Sequence, residues 1–326
     1  MPAIFDHHID HPAAWRSADI GGREGLTHRL STAQIAAIGR LVAALDGRAP
    51  HSITRAEFDD PEVNALMAAA RDAIMNGHGG IILSGLDVET WSLEDFERLY
   101  WGLGTHLGSG VMQSARGDHI GYVRREVGGP VRGYTTDMEL RSHTDFHEIL
   151  SLGSIRSAES GGWSGLVSAL AIHNVMREER PDLLAALYEG HPQIDLRDGR
   201  PSPHNVPIFC AVNGKVSCFY SRVFMAGIRE EGGIPERLGE AMACFDAIAA
   251  RPEIRADFLL QPGELLFWHN FQLLHSRTAF IDGETHRRLL LRLWLNVADG
   301  RPMAEAIRER GRLMDAEHRR QFEGQA

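Results

Sequence analysis

Between residues 110 and 298 the sequence consists of short apolar runs separated by glycines and polar residues, and this pattern constrains the fold most strongly. Runs such as HIGYV, RGYTT, SHTDFHEILSL and GLVSAL are typical of β-strands. Helical patterns at 169–190 and about 235–250 interrupt these strands without producing a regular alternation of strand and helix. A doubly wound parallel sheet needs that alternation, so the sequence favours a double-sheet jelly roll.

Helical periodicity and capping residues predict helices on both sides of this strand-rich body. The predicted helices lie at 31–46, 61–76 and 92–103, a buried strand lies at 79–86, and a charged amphipathic helix forms the tail at 301–326. We therefore predict a mainly β fold with flanking helices, of the α+β class, with a double-stranded β-helix or jelly-roll core. The predicted organisation is a single domain, 1–326, with a helical portion at about 1–105, the core at about 106–298 and the final helix.

The composition of the chain limits the classes of partner that it is expected to bind. A net charge of −10 argues against a nucleic-acid partner, because the phosphate backbone attracts basic surfaces. The three cysteines, Cys210, Cys218 and Cys244, form no CxxC pair, which predicts reduced packing residues. No leader peptide and no apolar run of membrane-spanning length is visible. We expect a cytoplasmic protein that acts on a small molecule without a membrane partner, and the sequence leaves a homo-oligomer open.

The stretch RSHTDFHEIL, 141–150, concentrates possible metal ligands. On a helix, His143 and His147 would share a face, as in a zinc helix, whereas on a strand His143 and Asp145 would do so. A zinc helix needs glutamate directly after the first histidine, and Thr144 stands there. The strand interpretation therefore favours His143 and Asp145 as two members of a 2-His-1-carboxylate iron site, which leaves positions open for substrates and O2.

A third ligand should be a histidine on another strand. The segment QPGELLFWHNFQLLHSRTAFIDGETHRRLLLRLWLNV, 261–297, offers His269, His275 and His286. Spacing alone does not choose among these three histidines.

The end of this segment has strict strand alternation. One face carries Arg288, Leu290, Arg292, Trp294 and Asn296, and the other face carries only leucines. Two arginines that face inward are costly unless they bind anions. The alternative is an outer face on which both arginines are solvated.

Several motifs occur together in one order: H-x-D, G-G-x-[ST] in GGWS, N-x-x-x-x-H-x-R in HNFQLLHSRTAF, and R-x-x-x-R-x-W in RRLLLRLWL. In this order they resemble the TauD/TfdA family of Fe(II)/2-oxoglutarate-dependent dioxygenases. The resemblance extends from about Trp15 to Val297.

The resemblance implies an Fe(II) site formed by His143, Asp145 and His275, with 2-oxoglutarate and O2 as cosubstrates. It implies that Arg288 binds the distal carboxylate of 2-oxoglutarate and that Ser164 donates a hydrogen bond to the same group. For Ser164 the alternative is a turn residue after two glycines.

Arg292 resembles the position that binds an anionic group of the substrate in several members, and the two arginine roles could be exchanged. We also place Asn270 and His147 near the substrate. Two alternatives remain open for His147: it lies behind the metal ligands, or it is an ordinary core or surface histidine.

The implied reaction is hydroxylation of an unactivated C–H bond in a small, carboxylate-bearing molecule, with release of succinate and CO2. Desaturation or cyclisation by the same cofactors, a catalytically silent jelly-roll binding protein and a zinc hydrolase at the same ligands are the alternatives. The glycine-rich segment 117–140 is either a lid or a surface loop. The aromatic residues that could wall a cavity, or simply form core, are Trp163, Trp268, Tyr134 and Phe224.

Overall fold

The computed structural model describes residues 4–126, 128 and 133–324. The α-helices of this part are α1 Thr32–Ala44, α2 Pro61–Met75, α3 Leu93–Gly104, α4 Ala169–Glu179, α5 Pro181–Glu189, α6 Glu236–Ala249 and α7 Glu305–Glu323. Local chemistry sets their ends: the Ser31 and Ser92 hydroxyls cap α1 and α3, and Pro181 begins α5. No described helix combines the length and apolar character needed to cross a membrane.

The strands of the described residues are short, as the glycine spacing predicts. They are β1 Thr27–Arg29, β2 Gly80–Ser84, β3 Ser109–Gly110, β4 Gly121–Val123, β5 Leu140–His143, β6 Ile149–Arg156, β7 Ser160–Gly161, β8 Ser164–Ser168, β9 His191–Ile194, β10 Pro201–Val206, β11 Phe209–Val212, β12 Lys215–Cys218, β13 Arg255–Phe258, β14 Leu265–His269, β15 Leu273–Arg277, β16 Phe280–Ile281 and β17 Leu289–Asn296.

Two sheets form the body of the protein. The large sheet has the order β1-β2-β14-β6-β17-β3, with β4 also paired to β17, and the small sheet has the order β13-β8-β15-β5. Neighbours in this order are mostly far apart in sequence, as expected when strands cross between two facing sheets. The predicted jelly-roll core is confirmed.

Apolar side chains fill three layers around these sheets. Between the sheets lies an interior core that includes Leu150, Leu266, Trp268, Leu290 and Trp294 from the large sheet and Leu166, Ala256, Phe258 and Leu273 from the small sheet. Helices α1–α3 pack on the outer face of the large sheet, and α4–α6 pack behind the small sheet. Each sheet is thus buried on both faces.

Strand β17 shows the predicted division of its two faces. Leu291, Leu293 and Leu295 pack against the α1–α3 side, whereas Leu290 and Trp294 point between the sheets. Full burial of each leucine contributes about 1.5–3 kcal/mol to stability, which fixes the strand register. The alternative of solvated arginines is wrong, because the inward-facing Arg288 and Arg292 are both buried.

The stretch that contains the first candidate ligands differs from the predicted continuous strand. Strand β5 ends at His143 in the small sheet, and β6 begins at Ile149 in the large sheet. The chain crosses between the sheets over 144–148, so it cannot remain a single strand. The run RGYTT is likewise a 3-10 helix at Gly133–Thr135 rather than a strand, and the β9–β10 hairpin was not predicted.

Candidate metal centre

Three predicted ligands meet at the inner edge of the small sheet. His275 on β15 pairs directly with His143 at the end of β5, which brings their ring centroids to 4.1 Å. Asp145 follows two residues later, with Oδ1 3.9 Å from Nε2 of His143 and Oδ2 3.8 Å from Nε2 of His275. The ligand atoms of all three lie within 4.8 Å of one another, so one metal ion could contact all of them.

The two other candidate histidines lie elsewhere. His269 is fully buried, with Nε2 3.2 Å from a carboxylate oxygen of Glu148. His286 is exposed in the turn before β17, beside the hydroxyl of Thr285. Among the described residues, His143, Asp145 and His275 form the one cluster with metal-ligand geometry.

The protonation states of this cluster suit a metal ion. Burial, together with repulsion from His143, lowers the pKa of His275 to about 3, which leaves a neutral imidazole. Burial acts to raise the pKa of Asp145, but favourable interactions of the carboxylate with the two histidines, Arg292 and the indole of Trp294 outweigh it, so the net pKa is lowered. A neutral imidazole and an ionised carboxylate are the forms that bind metals.

Asn270 fixes the backbone that carries the carboxylate. Its Oδ1 accepts a hydrogen bond of 3.0 Å from the backbone N–H of Asp145, and its Nδ2 donates to the carbonyls of Asp145 and His147, both at 2.9 Å. Both amide donors are thus used, and the side chain is fully buried. The substrate role that the sequence suggested for Asn270 is not supported by this geometry, which makes the residue a backbone clamp.

Trp294 contacts the candidate carboxylate ligand directly. Its indole Nε1 donates a 3.1 Å hydrogen bond to Oδ2 of Asp145. The ring of His147 packs beside the indole at a centroid distance of 5.1 Å. His147 is held in turn by Asn296 Oδ1, 3.0 Å from its Nδ1, and by Asp315 Oδ1 of helix α7, 3.3 Å from its Nε2. His147 is therefore buried behind Trp294, which favours the position behind the metal ligands over one that lines the substrate cavity.

Arg288 lies in a buried site built by the GGWS motif. Its side chain passes over Gly162, where an added Cβ would lie 3.1 Å from Nε of the guanidinium. The guanidinium stacks on Phe280 at 5.2 Å, and Nη1 is buried without a hydrogen-bond partner in the described part of the chain. Burial, with repulsion from Arg277, lowers the pKa of Arg288 to about 9.

Arg277, which the sequence marks only by its H-x-R position, is a further functional candidate. It stacks on the same Phe280 ring at 4.9 Å, and its Nη2 donates to the carbonyls of Thr136, at 2.8 Å, and Met138. Its Nε and Nη1 are buried without a partner among the described residues. Its strand partner on β8 is Ser164, which is also buried.

Two buried guanidiniums that share one ring, without a carboxylate salt bridge in the described structure, are unfavourable by themselves. An anion between them would satisfy the open donors. The two arginines therefore fit one carboxylate of a dicarboxylic acid. A metal ion held by the nearby triad would fit the other end of the same molecule.

Arg292 has a different environment. Its guanidinium lies between the rings of Tyr134, at 4.2 Å, and Trp294, at 4.3 Å, and its Nε donates to Oε1 of Gln113 at 3.1 Å. The stacking holds the guanidinium plane in place beside the triad. Arg288, directly before β17, has a buried Nη1 without a partner in the described structure, whereas Arg292 contacts Gln113 and the two rings.

Of the other aromatic residues predicted to line a cavity, some lie in the core and one lies at the surface. Trp268 is buried with its ring 5.0 Å from that of His275, and Phe224 packs on Phe146. Trp163 is 47% exposed. The predicted lid, 117–140, includes residues 127 and 129–132, which lie outside the described residues, so the lid stays a prediction. All three cysteines are free, as predicted.

Comparison with known proteins identifies relatives for most of the chain. The family model described as "Taurine catabolism dioxygenase TauD, TfdA family" matches residues 45–294. FR-33289 synthase from Streptomyces rubellomurinus is 30% identical over 261 residues, which cover 74% of this chain and 76% of the relative. A taurine hydroxylase-like protein, SAT17, from Stachybotrys chartarum is 28% identical over 304 residues, covering 86% and 77%.

Solved structures show the same fold at lower identity. Asparagine oxygenase in complex with Fe(II), 2S,3S-3-hydroxyasparagine and succinate superposes with a TM-score of 0.69 at 15% identity, covering 83% of this chain and 93% of that chain. The non-heme iron oxygenase OrfP in complex with Fe and alpha-ketoglutaric acid gives a TM-score of 0.63 at 15% identity, covering 83% and 94%. With the family match over most of its length, the chain belongs to the TauD, TfdA family and is a 2-oxoglutarate-dependent non-haem iron dioxygenase.

Proposed function

We propose that His143, Asp145 and His275 bind the Fe(II) of this dioxygenase. The observation that carries the proposal is the convergence of three ligand atoms within 4.8 Å, from two paired strands and the crossing between the sheets. We further propose that Arg288, with Ser164, binds the distal carboxylate of 2-oxoglutarate. The open Nη1 donor of Arg288 supports this assignment over the exchanged one.

In this family, bound Fe(II) with 2-oxoglutarate and O2 supplies oxidative decarboxylation to succinate and CO2, coupled to hydroxylation of a C–H bond. The residues of this chain position the reactants. Asn270 holds the backbone of the crossing segment, and Trp294 fixes one carboxylate oxygen of Asp145. The interior core between the sheets excludes water from the face behind the triad.

We propose that the substrate is a small molecule with a carboxylate group, which Arg292 binds. Its guanidinium is buried beside Asp145 and held in a fixed plane by two aromatic rings. The amino-acid product named in the asparagine oxygenase complex is consistent with a substrate of this size and charge. We propose hydroxylation as the outcome, with desaturation or cyclisation to be distinguished by product analysis.

Succinate formation from 2-oxoglutarate, measured with Fe(II) across a panel of small carboxylic and amino acids, tests this proposal. A substrate should stimulate succinate formation, and Asp145→Ala should abolish that stimulation. Arg288→Ala should raise the KM for 2-oxoglutarate steeply with a smaller effect on the KM for substrate. Unchanged kinetics in both variants would contradict the assignment. Binding of panel members without any succinate would instead support a silent binding protein.

A further inference from the structure

A cleft of about 630 Å³ opens beside the buried arginine pair. Its lining residues are Arg116, Arg124, Arg125, Glu126, Gly128, Arg156, Asp282, Arg287, Arg288 and Leu289. The volume lies in the range of small-molecule sites. None of His143, Asp145 and His275 lines the cleft, so it is separate from the candidate metal centre.

The charge of this cleft is opposite to that of the whole chain. Six arginines and two acidic residues line the cleft, a formal charge of +4 from 6 − 2, in a protein with a net charge of −10. Asp137, outside the lining, lies 3.3 Å from Nε of Arg125 and reduces this local charge to +3. The positive charge is therefore a local feature of the cleft.

The two acidic residues do not neutralise the arginines. Glu126 is shared between Arg116, at 3.9 Å, and Arg124, at 3.6 Å, and both arginines are more than half exposed. Such long, exposed ion pairs contribute little free energy. Asp282 uses Oδ1 to accept a hydrogen bond from the backbone N–H of Arg288.

Three of the lining arginines have no nearby carboxylate. Within the described residues, no carboxylate lies within 4.0 Å of the guanidiniums of Arg156, Arg287 or Arg288. Arg156 is fixed by a 2.6 Å hydrogen bond from Nε to the backbone carbonyl of Arg287. Arg288, only 4% exposed, also lines the cleft, on the side of the proposed 2-oxoglutarate pocket.

The positions of Arg288 and Arg292 show where the cleft lies relative to the triad. Arg288 and Arg292 lie four residues apart on one face of the strand, which corresponds to about 13 Å. Arg292 stands beside Trp294 and the triad, whereas Arg288 stands at the cleft. The cleft therefore extends outward from the far end of the proposed 2-oxoglutarate pocket.

We propose that this cleft binds a multiply charged oxyanion of the phosphate or phosphonate class. Several guanidiniums around one volume match a tetrahedral dianion, whose three terminal oxygens can accept several charge-assisted hydrogen bonds. The anion is either the charged end of the substrate or a free ion that modulates turnover. Binding of the anion does not depend on the proposed iron chemistry.

Calorimetric titration of the metal-free full chain with methylphosphonate, at low ionic strength, tests the site. We expect saturable binding of one anion per chain, and binding of acetate at least about tenfold weaker. The double variant Arg156→Gln/Arg287→Gln should lose at least about tenfold in methylphosphonate affinity. The matched control, Arg29→Gln/Arg200→Gln, removes the same charge from exposed positions elsewhere and should keep wild-type affinity. Non-saturable binding, or an equal loss in the control, would overturn the proposal.

A second titration uses zinc-loaded protein saturated with 2-oxoglutarate. Methylphosphonate should still bind, whereas its displacement by 2-oxoglutarate would contradict a separate cleft. Succinate assays then identify the source of the anion. If the anion is the charged end of the substrate, phosphonate-bearing compounds should stimulate turnover, and the double variant should raise the KM of these compounds only. A free ion predicts that inorganic phosphate changes the rate at saturating substrate.

Discussion

The indole Nε1 of Trp294 donates a 3.1 Å hydrogen bond to Oδ2 of Asp145, the carboxylate of the candidate metal centre. The indole is held from behind by His147, which contacts Asp315 of the C-terminal helix α7. A chain of contacts thus connects the last helix to a proposed ligand. Residues that orient a metal ligand commonly change metal affinity by 10–100-fold when they are replaced.

Trp294→Phe should weaken metal binding about tenfold, because it removes the indole N–H and keeps an aromatic ring. Mn(II) affinity, measured by calorimetry without turnover, checks this expectation. Trp268→Phe is a matched control: Trp268 lies in the same core near His275, but its Nε1 has no hydrogen-bond partner in the described structure. Equal losses in the two variants would show that packing, rather than the hydrogen bond, affects the metal.

Arg277→Met should raise the KM for 2-oxoglutarate at least about tenfold, because charge-assisted hydrogen bonds contribute about 1.5–3 kcal/mol. The reason is the pair of open donors on Arg277 beside the Arg288 guanidinium. Steady-state kinetics with 2-oxoglutarate as the varied reactant measure the effect. Arg255→Met, on β13 two strands away in the same sheet, removes an arginine already paired with Asp257 and should leave that KM unchanged. An unchanged KM in Arg277→Met would exclude a role in binding 2-oxoglutarate.

Asn270→Ala should destabilise the fold and the metal centre together. It leaves three backbone groups without their partner, one in a buried and two in partly buried hydrogen bonds, at a cost of up to about 1–3 kcal/mol each. Urea denaturation and Mn(II) titration measure the two effects. Asn205→Ala, at an exposed position, should change stability by less than about 0.5 kcal/mol. A stable Asn270→Ala protein with normal metal affinity would contradict the clamp.

His173 makes stability depend on pH. It is fully buried against Tyr188 and Phe209, and burial lowers its pKa to about 4, below the unfolded value of 6.5. Unfolded chains therefore bind a proton that the folded protein does not, so stability is complete above pH 6.5 and falls toward pH 4. The total loss from this group is about 3 kcal/mol.

In His173→Gln, neither the folded nor the unfolded chain binds a proton at this position. The slope of the unfolding free energy between pH 4.5 and 6 should decrease by about 1.4 kcal/mol per pH unit. His7→Gln, at an exposed position, serves as the control and should keep the wild-type slope. An unchanged slope in the His173 variant would mean that this histidine titrates normally in the fold.

The sequence predicts the parts of this structure that depend on local spacing. The alternation in RRLLLRLWLNV predicts both faces of β17, and the helix caps at Ser31 and Ser92 lie where the pattern places them. The pairing of His143 with His275 required the order of several motifs, because 131 residues separate them and spacing alone left three histidines.

Other features depend on tertiary contacts that a periodic pattern does not contain. Strand spacing predicted that His143 and Asp145 share a face, and the two side chains do lie together. Asp145 itself, however, belongs to the segment that crosses between the two sheets and not to a strand. Asn270 looked like a substrate residue because only the fold shows that its amide binds the backbone of Asp145 and His147. Arg277 could have been noticed from its H-x-R position, which points its side chain to the same side of β15 as His275.

The most direct test of the central claim is the stoichiometry of Fe(II), measured by metal analysis after anaerobic loading and removal of free ion. We predict one Fe(II) per chain in the wild type and in His286→Ala, whose histidine is exposed and outside the cluster. We predict that Asp145→Ala and His275→Ala lose the bound iron while they remain folded by circular dichroism. Full retention of iron by folded His275→Ala would contradict the assignment of His143, Asp145 and His275 as the metal centre.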